Sequence, residues 1–301
     1  MEKRLWIAFI VIAIFLITIL FGTQIVNKIT GYAPSQLTNL SITIAGMNPA
    51  KIIYISPISG YSSLELSDTN ITFNVHMSDS DGVNDLNDTS VRANFTKTGD
   101  STVRQNITCA WINDIDTTTA NYTCKIQMWY WDANGAWNIT ASGRDLGNTS
   151  EFKNDSSTFT YGLTTAIVIS PLQLTWTSVS PGAINQTAAS ATTINNTGNK
   201  NVSSNAISIT AINLYDPSGT NFIPAANFSA GVSGGTTSCI GTALVNGSST
   251  AVANTVLSPG NLSAGGGIAQ EDVYNCLRQV PPTLPSQTYS RSRAGSWTIA
   301  F

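Results

Sequence analysis

An uncharged stretch of 23 residues, Leu5 to Asn27, lies directly behind Lys3 and Arg4 and constrains the rest of the chain. A helix of this length rises about 1.5 Å per residue and reaches roughly 34 Å, enough to cross a hydrocarbon core of about 30 Å. Because basic residues favour the cytoplasmic side, residues 1–4 are predicted to form a cytoplasmic stub and the remaining chain to be exported.

Two other interpretations compete with an uncleaved anchor over residues 5–27. A cleaved signal peptide has an apolar core of about 7–15 residues with a small-x-small site close behind it. Here the strongly apolar run, Leu5 to Phe21, is already 17 residues long, and the best cleavage candidate, Gly31-Tyr32-Ala33, is followed by Pro34. A buried core helix is an unusual use of so long an uncharged run at a terminus. An uncleaved anchor is therefore the favoured prediction.

The exported part is polar without being charged. Only 10% of all residues are charged, against about 25% in a typical soluble protein, and the chain contains 34 Ser, 38 Thr and 28 Asn. The net charge of −3 provides no basic surface, so nucleic-acid binding is disfavoured. Residues 28–48 are predicted to form a stalk, because Gly31, Pro34 and the following Pro49 interrupt regular structure.

Glycosylation acceptor patterns, Asn-x-Ser/Thr with x not Pro, occur fifteen times, whereas chance predicts roughly 7. All of them lie on the predicted exported side, so the sequence predicts a glycoprotein if the host glycosylates such sites. The asparagines are Asn39, Asn70, Asn87, Asn94, Asn106, Asn121, Asn138, Asn148, Asn154, Asn185, Asn195, Asn201, Asn227, Asn246 and Asn261.

Four cysteines, Cys109, Cys124, Cys239 and Cys276, form an even set in a chain predicted to be exported, which indicates two disulfides. Three pairings are possible, and the chain order favours 109–124 and 239–276. A cysteine-based metal site is the alternative, but the sequence contains no Cys-x-x-Cys and His76 is its only histidine.

Residues 49–162 are predicted to form a β-sandwich of immunoglobulin-like architecture, because seven short strands follow one another with turn residues between them. The alternation is clearest where Ile71, Phe73, Val75 and Met77 share one face. Sequon asparagines within the strands fall out of phase with the apolar residues, as solvent-facing glycans require. The predicted strands are 51–57, 69–78, 90–97, 102–112, 120–131, 136–143 and 157–161.

Residues 163–301 are richer in Gly, Ala, Ser and Thr and predict a second, looser β-sandwich. The predicted fold class is therefore all-β, with an N-terminal transmembrane helix followed by two immunoglobulin-like β-sandwich domains. The predicted strands of this half are 167–179, 191–194, 206–215, 242–245, 251–257 and 296–301.

Four motifs resemble those of archaeal membrane-anchored cell-surface proteins with immunoglobulin-like repeats. The segments DSDGVND at Asp79–Asp85, WYWDANGAWNIT at Trp129–Thr140 and DLGN at Asp145–Asn148 are similar to an Asp-x-Asp-Gly loop, a Gly-x-Trp-x-Ile strand and a following turn in those repeats. NTGN at Asn196–Asn199 is similar to an Asn-x-Gly-Asn turn of adhesion-type β-sandwich modules. The resemblance implies an extracytoplasmic structural or adhesive role and no catalytic residue.

A dense group of oxygen ligands follows the second predicted strand and includes Asp79, Asp81 and Asp85, which are candidate ligands for Ca²⁺. The spacing does not match a helix-loop-helix site, because Gly82 comes too early and no Glu completes the set. Asp145, or the pair Asp114 and Asp116, would contribute from other loops. The alternative is a polar turn whose Asp and Asn side chains accept backbone hydrogen bonds. No other cofactor is predicted.

Trp129 and Trp131 share one face of a predicted strand and are candidate ligand-stacking residues, with packing in the sandwich as the alternative. Catalysis is not predicted, since His76 has no nucleophile elbow near it in sequence and the glutamates are isolated.

These features predict a non-catalytic, membrane-anchored surface glycoprotein with a structural or adhesive role. One alternative is a glycan- or partner-binding module in which Ca²⁺ orders loop 79–88 beside exposed aromatics at 129 and 131. Another is a filament or lattice subunit that pairs through edge strands, including the terminal Ser296–Phe301.

Overall fold

The computed structural model describes residues 12–13, 42, 48–147, 152–233, 239–264 and 267–301, with the backbone alone for 152–156. The chain divides into two compact units, Met1–Ile44 and Ala45–Phe301. The predicted anchor and stalk lie outside the described residues, apart from Ile12, Ala13, Ile42 and Asn48. Within the described ranges, no helix combines the length and the apolar character needed to cross a membrane.

Eight strands in the first half form two four-stranded antiparallel sheets, with strand orders β1-β2-β6-β5 and β4-β3-β7-β8. Two 3₁₀ turns, Val83–Asp85 and Asp88–Ser90, lie between β2 and β3. The strands are β1 (Lys51–Ile55), β2 (Asp68–Ser78), β3 (Arg92–Thr96), β4 (Val103–Asn106), β5 (Ala110–Asp114), β6 (Thr119–Trp129), β7 (Gly135–Gly143) and β8 (Phe152–Tyr161).

Alternate residues of both sheets meet in one hydrophobic core, which makes this half a two-layer sandwich. Ile71, Phe73, Val75 and Met77 of β2 are buried on one face, as their spacing predicts. From the other sheet, β7 contributes Trp137, which is fully buried and donates its indole N–H to the carbonyl of Ala133 at 2.8 Å. The period-two pattern therefore places the core correctly in the long strands.

The predicted single strand 102–112 is wrong, because the chain changes sheets in its middle. β4 pairs with β3, whereas β5 pairs with β6 on the other layer. The Asn106 side chain accepts a hydrogen bond from the backbone N–H of Thr108 at 2.9 Å and so closes a turn between them. In a single strand 102–112, Ile107 and Trp111 would share a face with the buried Cys109, but they are 72% and 50% exposed.

The two disulfides join the cysteines in the pairing that the chain order favours. Cys109 pairs with Cys124 across the β5–β6 side of one sheet, with Cα atoms 4.5 Å apart, and both residues are buried in the core. Cys239 pairs with Cys276 in the second half, with Cα atoms 5.4 Å apart.

In the second half, β16-β15-β18-β11-β9 form the main sheet, with β10 also paired to β18. A three-stranded sheet, β17-β12-β19, and the β13-β14 hairpin complete it. Three 3₁₀ turns lie at Ala225–Asn227, Leu262–Ala264 and Gly267–Ala269. The strands are β9 (Ile167–Ser170), β10 (Ile184–Thr187), β11 (Thr192–Asn196), β12 (Ser208–Thr210), β13 (Leu214–Tyr215), β14 (Phe222–Ile223), β15 (Phe228–Gly231), β16 (Thr242–Ala243), β17 (Ser249–Ala251), β18 (Gln270–Gln279) and β19 (Thr298–Ala300).

β18 is the longest strand of this half, and it is absent from the strands predicted by sequence. β11 pairs with its first residues, and β10 and β15 flank its middle, where Asn275, Cys276 and Leu277 are all buried. A run of consecutive buried residues that includes Asn275 shows no period of two, which explains why the pattern did not identify it. Residues of both sheets share a second hydrophobic core, separate from the first along the chain.

The side chain of Asn199 joins the two sandwiches and is only 3% exposed. Its Nδ2 donates to the backbone carbonyls of Gly162 at 2.8 Å and Asp132 at 3.1 Å, while its Oδ1 accepts from the backbone N–H of Thr164 at 2.7 Å. The amide thus supplies partners for three backbone groups at the point where the first sandwich ends and the second begins.

The neighbouring turn residues extend this junction. The hydroxyl of buried Thr197 donates to Oε1 of Glu65 at 2.5 Å, and its carbonyl accepts from the N–H of Leu66 at 3.3 Å. Gly198 lies so close to Thr164 that a Cβ would sit 2.2 Å from the Thr164 carbonyl oxygen. The NTGN motif is therefore a closely packed contact between the sandwiches.

Replacing both Cys109 and Cys124 by Ala is expected to lower the free energy of unfolding by about 3 kcal/mol, the cost of releasing a cross-link across a loop of this length. Urea denaturation followed by tryptophan fluorescence measures the change. A double variant within about 0.5 kcal/mol of the parent would contradict a structural role for this bridge.

Gly198→Ala is expected to lower the free energy of unfolding by about 1–3 kcal/mol, because its methyl group overlaps the Thr164 carbonyl. Gly60→Ala is the matched control, since a Cβ there meets the nearest atom, the Thr160 carbonyl oxygen, at an ordinary 3.5 Å. The control is expected to be neutral or slightly stabilising, by up to about 1 kcal/mol. Equal denaturation midpoints for the two variants would show that the junction is looser than described.

Candidate functional site

The loop after β2 carries the predicted metal ligands and is held against the chain segment that precedes β6. The N–H of Asp79 donates to the carbonyl of Thr118 at 2.8 Å, and the N–H of Val83 donates to the carbonyl of Thr117 at 3.0 Å. Gly82 adopts a φ of 109°, a conformation that favours glycine, and it reverses the chain between the acidic residues. Local backbone geometry therefore returns Asp85 towards Asp79.

We call Asp79, Asp81, Asp85 and Asp145 the acidic cluster. One carboxylate oxygen from each of Asp79, Asp81 and Asp85 lies within 4.8 Å of the others. Asp79 is 1% exposed and Asp85 and Asp145 are each 3% exposed, whereas Asp81 faces solvent. Asp79 and Asp85 are thus withdrawn from water close to one another, and the charge of buried Asp145 acts on Asp79.

Asp145 reaches the cluster from a distant part of the sequence. It follows β7, and a bridge between Leu86 and Asp145, with a hydrogen bond from the N–H of Leu146 to the carbonyl of Asp85 at 2.7 Å, aligns the two loops. The segment before β1 also contacts the cluster. The backbone N–H and side-chain amide of Asn48 donate to Asp81 at 2.7 and 2.9 Å, and the N–H of Ala50 donates to Asp145 at 3.4 Å.

Burial raises the pKa of the Asp79 carboxyl group, and the negative charges of Asp85, Asp81 and Asp145 raise it further. The hydrogen bond from the N–H of Asp81 to its Oδ1, at 2.9 Å, acts in the opposite direction. Its other oxygen, Oδ2, is buried without a hydrogen-bond partner. All side chains of the cluster offer oxygen only, the ligand type that suits Ca²⁺ or Mg²⁺.

The remaining acidic candidates have other contacts. Asp114 accepts a hydrogen bond from the indole N–H of Trp111 at 3.1 Å, and Asp116 accepts two from Thr118. Asp88 accepts from the hydroxyl of Tyr122 at 2.7 Å. Of the loops expected to supply further ligands, the one carrying Asp145 is therefore the one that joins the cluster.

Trp129 and Trp131 stack on each other, with ring centroids 4.9 Å apart and planes 11° apart. Both are half-buried and lie outside the hydrophobic core. The intervening Tyr130 is buried, and its hydroxyl donates to the carbonyl of Gly260 at 3.2 Å and accepts from the N–H of Leu262 at 3.3 Å. Packing between the sandwiches therefore accounts for Tyr130, but only in part for the two tryptophans.

A shallow groove of about 470 Å³ lies beside Trp131. Its lining includes Asp132, Asn134, Asn199, Lys200 and Pro259, so it runs along the junction between the sandwiches. Trp129 does not line it. The groove offers one aromatic side chain and several hydrogen-bonding groups.

The tryptophan pair and the acidic cluster do not form one site. β6 pairs with β2 from Thr119 opposite Ser78 to Trp129 opposite Asp68, so the loop beginning at Asp79 lies at one end of these strands and the tryptophans at the other. Ten residue steps of about 3.3 Å separate the ends by roughly 33 Å. The alternative in which aromatics at 129 and 131 lie beside loop 79–88 therefore lacks the proximity that it requires.

His76 lies on the solvent face of β2, half-buried against Tyr54, with the two ring centroids 4.6 Å apart. Burial lowers the pKa of its imidazole. The contact with Tyr54 gives His76 a packing role on the outer face of the sheet.

No protein-family model and no curated protein matches the sequence.

Proposed function

We propose that the chain is a non-catalytic, membrane-anchored cell-surface glycoprotein whose exported sandwiches associate with neighbouring copies as a structural, adhesive layer. The observation that carries this proposal is the distribution of sequons over the strands of the first sandwich. β2, β3, β4, β6, β7 and β8 each contain a sequon asparagine, while β1 and β5 contain none. These two strands are the opposite edges of the same sheet.

The sequon-free edges also expose large apolar side chains. Ile53 and Tyr54 of β1 are 54% and 41% exposed, and Trp111 and Ile112 of β5 are 50% and 43% exposed. In the other sheet, both edge strands, β4 and β8, carry sequons. Since a glycan is bulky and hydrophilic, one sheet would be shielded at its edges while the other stays open for β-strand pairing.

The association expected between copies is weak for a single contact. β1 carries a bulge between Ile52 and Tyr54, and β5 carries one between Trp111 and Asn113, so only short runs of backbone are regular enough to pair. Many anchored copies held side by side gain strength through their high effective concentration. When the β5 edge of one copy pairs with the β1 edge of the next, the first copy still has a free β1 edge and the second a free β5 edge. Further copies can therefore add at both ends.

Burial of the asparagines also supports a glycoprotein. Twelve of the fifteen sequon asparagines have described side chains, and none of these twelve is buried. The buried asparagines in the described part of the chain, Asn196, Asn199 and Asn275, are all outside sequons. The two disulfides are what an exported chain would use. The predicted anchor over residues 5–27 would hold the sandwiches at the membrane surface.

The strand order supports the immunoglobulin-like interpretation of the first sandwich. If β1 to β8 are named A, B, C, C′, D, E, F and G, the two sheets read A-B-E-D and C′-C-F-G. Immunoglobulin-like sandwiches serve as scaffolds in many cell-surface proteins. The disulfide departs from the antibody pattern, because it lies within one sheet at β5 and β6 instead of joining the two sheets.

Glycan or partner binding at the junction groove is the alternative function. It is favoured by one observation, the half-buried Trp131 in a groove with Asp132, Asn134 and Lys200. A single aromatic platform with adjacent polar groups suits sugar stacking. On this alternative the acidic cluster takes no part, because it lies at the far end of β6.

Peptide mass mapping of unreduced protein from washed membranes tests the anchor and the sugars together. We expect recovery of residues 1–33 and sugar on Asn70, Asn121 and Asn138, all of which lie on solvent faces. A mature N-terminus beyond residue 33 would remove the anchor from the proposal. If these asparagines carry no sugar in the native host, glycans cannot be what shields the edges of one sheet and leaves those of the other open.

Ile115→Thr tests the edge contact, because it converts Asn113-Asp114-Ile115 into a sequon beside β5. We expect the new glycan on exposed Asn113 to abolish association of copies, measured by sedimentation velocity and by cross-linking on membranes. Ile115→Ala is the matched control, which removes the same exposed side chain without creating an acceptor. Association of the glycosylated variant at the level of this control would contradict the use of β5.

A further inference from the structure

The acidic cluster combines features that a polar turn does not explain. A turn of Asp and Asn accounts for the hydrogen bond between Oδ1 of Asp79 and the N–H of Asp81. It does not account for Oδ2 of Asp79, which is buried without a hydrogen-bond partner in a residue that is 1% exposed. Nor does it account for Asp145, which comes from a separate loop and is itself buried.

We propose that the acidic cluster binds one Ca²⁺ ion. Asp79 and Asp85 are its buried ligands, Asp81 is its ligand on the solvent side, and the negative charge of Asp145 adds to the attraction for the ion. This site is independent of the surface-glycoprotein proposal.

Charge is the first argument. The charges that act on Asp79 are those of Asp85, Asp81 and Asp145. Asp79, Asp85 and Asp145 are buried, whereas Asp81 faces solvent. Burial disfavours the charged form of Asp79, and each neighbouring carboxylate adds repulsion. A divalent cation at the centre reverses both effects, because it replaces the repulsion with attraction to every carboxylate and gives Oδ2 of Asp79 a partner.

Ligand type and spacing indicate which cation. The cluster offers carboxylate oxygen without imidazole or thiolate, which disfavours Zn²⁺. Two oxygens bound to one Ca²⁺ at about 2.4 Å lie at most about 4.8 Å apart. The oxygens of Asp79, Asp81 and Asp85 lie within 4.8 Å of one another, so all three can reach one ion. Mg²⁺ requires a tighter octahedron, with trans oxygens about 4.2 Å apart, and gives up its water reluctantly.

The ion would connect three parts of the first sandwich that meet at the cluster. Asp79 to Asp85 form the β2–β3 loop, and Asp145 follows β7. Asn48 and Ala50, which precede β1, donate hydrogen bonds to Asp81 and Asp145. Ca²⁺ would therefore fix the start of the sandwich to two of its loops at once, so that binding orders the residues immediately before β1.

The test uses the full chain in detergent, with disulfides intact, first equilibrated with EGTA and then titrated with Ca²⁺ by calorimetry. We expect one ion per chain with a dissociation constant of about 0.1–1 mM, typical of extracellular calcium modules, and a rise in melting temperature. Asp79→Asn and Asp85→Asn are each expected to weaken binding at least tenfold. Asp272→Asn is the matched control, since it removes one exposed carboxylate that accepts a hydrogen bond from Thr193 in the second sandwich.

Melting temperatures with and without Ca²⁺ separate a metal site from a structural turn even if one variant folds poorly. With EGTA, Asp79→Asn removes a repelling charge and is expected to melt at or above the parent; with saturating Ca²⁺ it loses a ligand and is expected to melt below it. A variant that melts below the parent by the same margin in both conditions would overturn the proposal. No Ca²⁺-dependent shift in the parent, or an equal shift with the same concentration of Mg²⁺, would overturn it as well.

Discussion

The buried amide of Asn199 connects three backbone segments at the junction between the two sandwiches. Its three hydrogen bonds reach the backbone of residues 132, 162 and 164, and each is worth about 1 kcal/mol while preventing a larger penalty for unpaired buried groups. Aspartate in its place would lose the donor that serves two carbonyls. Asp132, one of the partners, is itself fixed, because its carboxylate accepts hydrogen bonds from Arg104 and from the N–H of Trp129 at 2.7 Å. The two sandwiches therefore meet at a carbonyl that the first sandwich already holds in place. The groove beside Trp131 lies along this junction.

Sequence patterning predicted the long strands well and failed where tertiary structure overrides local pattern. β2 and β6 each alternate over eleven residues with one face on the core, so their burial follows directly from a period of two. The change of sheet after Asn106 is invisible to this reasoning, because Ile107, Cys109 and Trp111 beyond it keep the spacing of apolar residues in a strand. β18 was missed for a different reason. It lies between other strands, and a buried Asn275 held by Thr192 at 3.0 Å takes the place of an apolar residue.

The sequence predicted which types of residue form the candidate site, but only some of the residues that belong to it. The density of carboxylates identified Asp79, Asp81 and Asp85, yet the membership of Asp145 depends on the alignment of two loops through Leu86. Likewise, the NTGN segment reads as a turn, while its partners lie 37 and 67 residues away in sequence. Proximity of the acidic loop to Trp129 and Trp131 was inferred without knowing that the loop and the tryptophans lie at opposite ends of one strand pair. Residue types that suit a metal or a ligand can be recognised in short stretches of sequence. The distance between two such stretches depends on how the strands pair.

The location of Asn199 has a mechanical consequence. The covalent path from one sandwich to the other runs through residues 162–164, and the Asn199 side chain spans it by bonding the carbonyl of Gly162 and the N–H of Thr164. Tension applied across the chain acts on this path, and the Asn199 bonds resist it together with the hydrogen bonds that Gly162 and Thr164 donate to the carbonyls of Tyr61 and Ser63. Because groups that tension releases stay adjacent, the same bonds re-form when the pull ends. A single asparagine thus links the two halves of the chain through reversible bonds at the point where load passes between them.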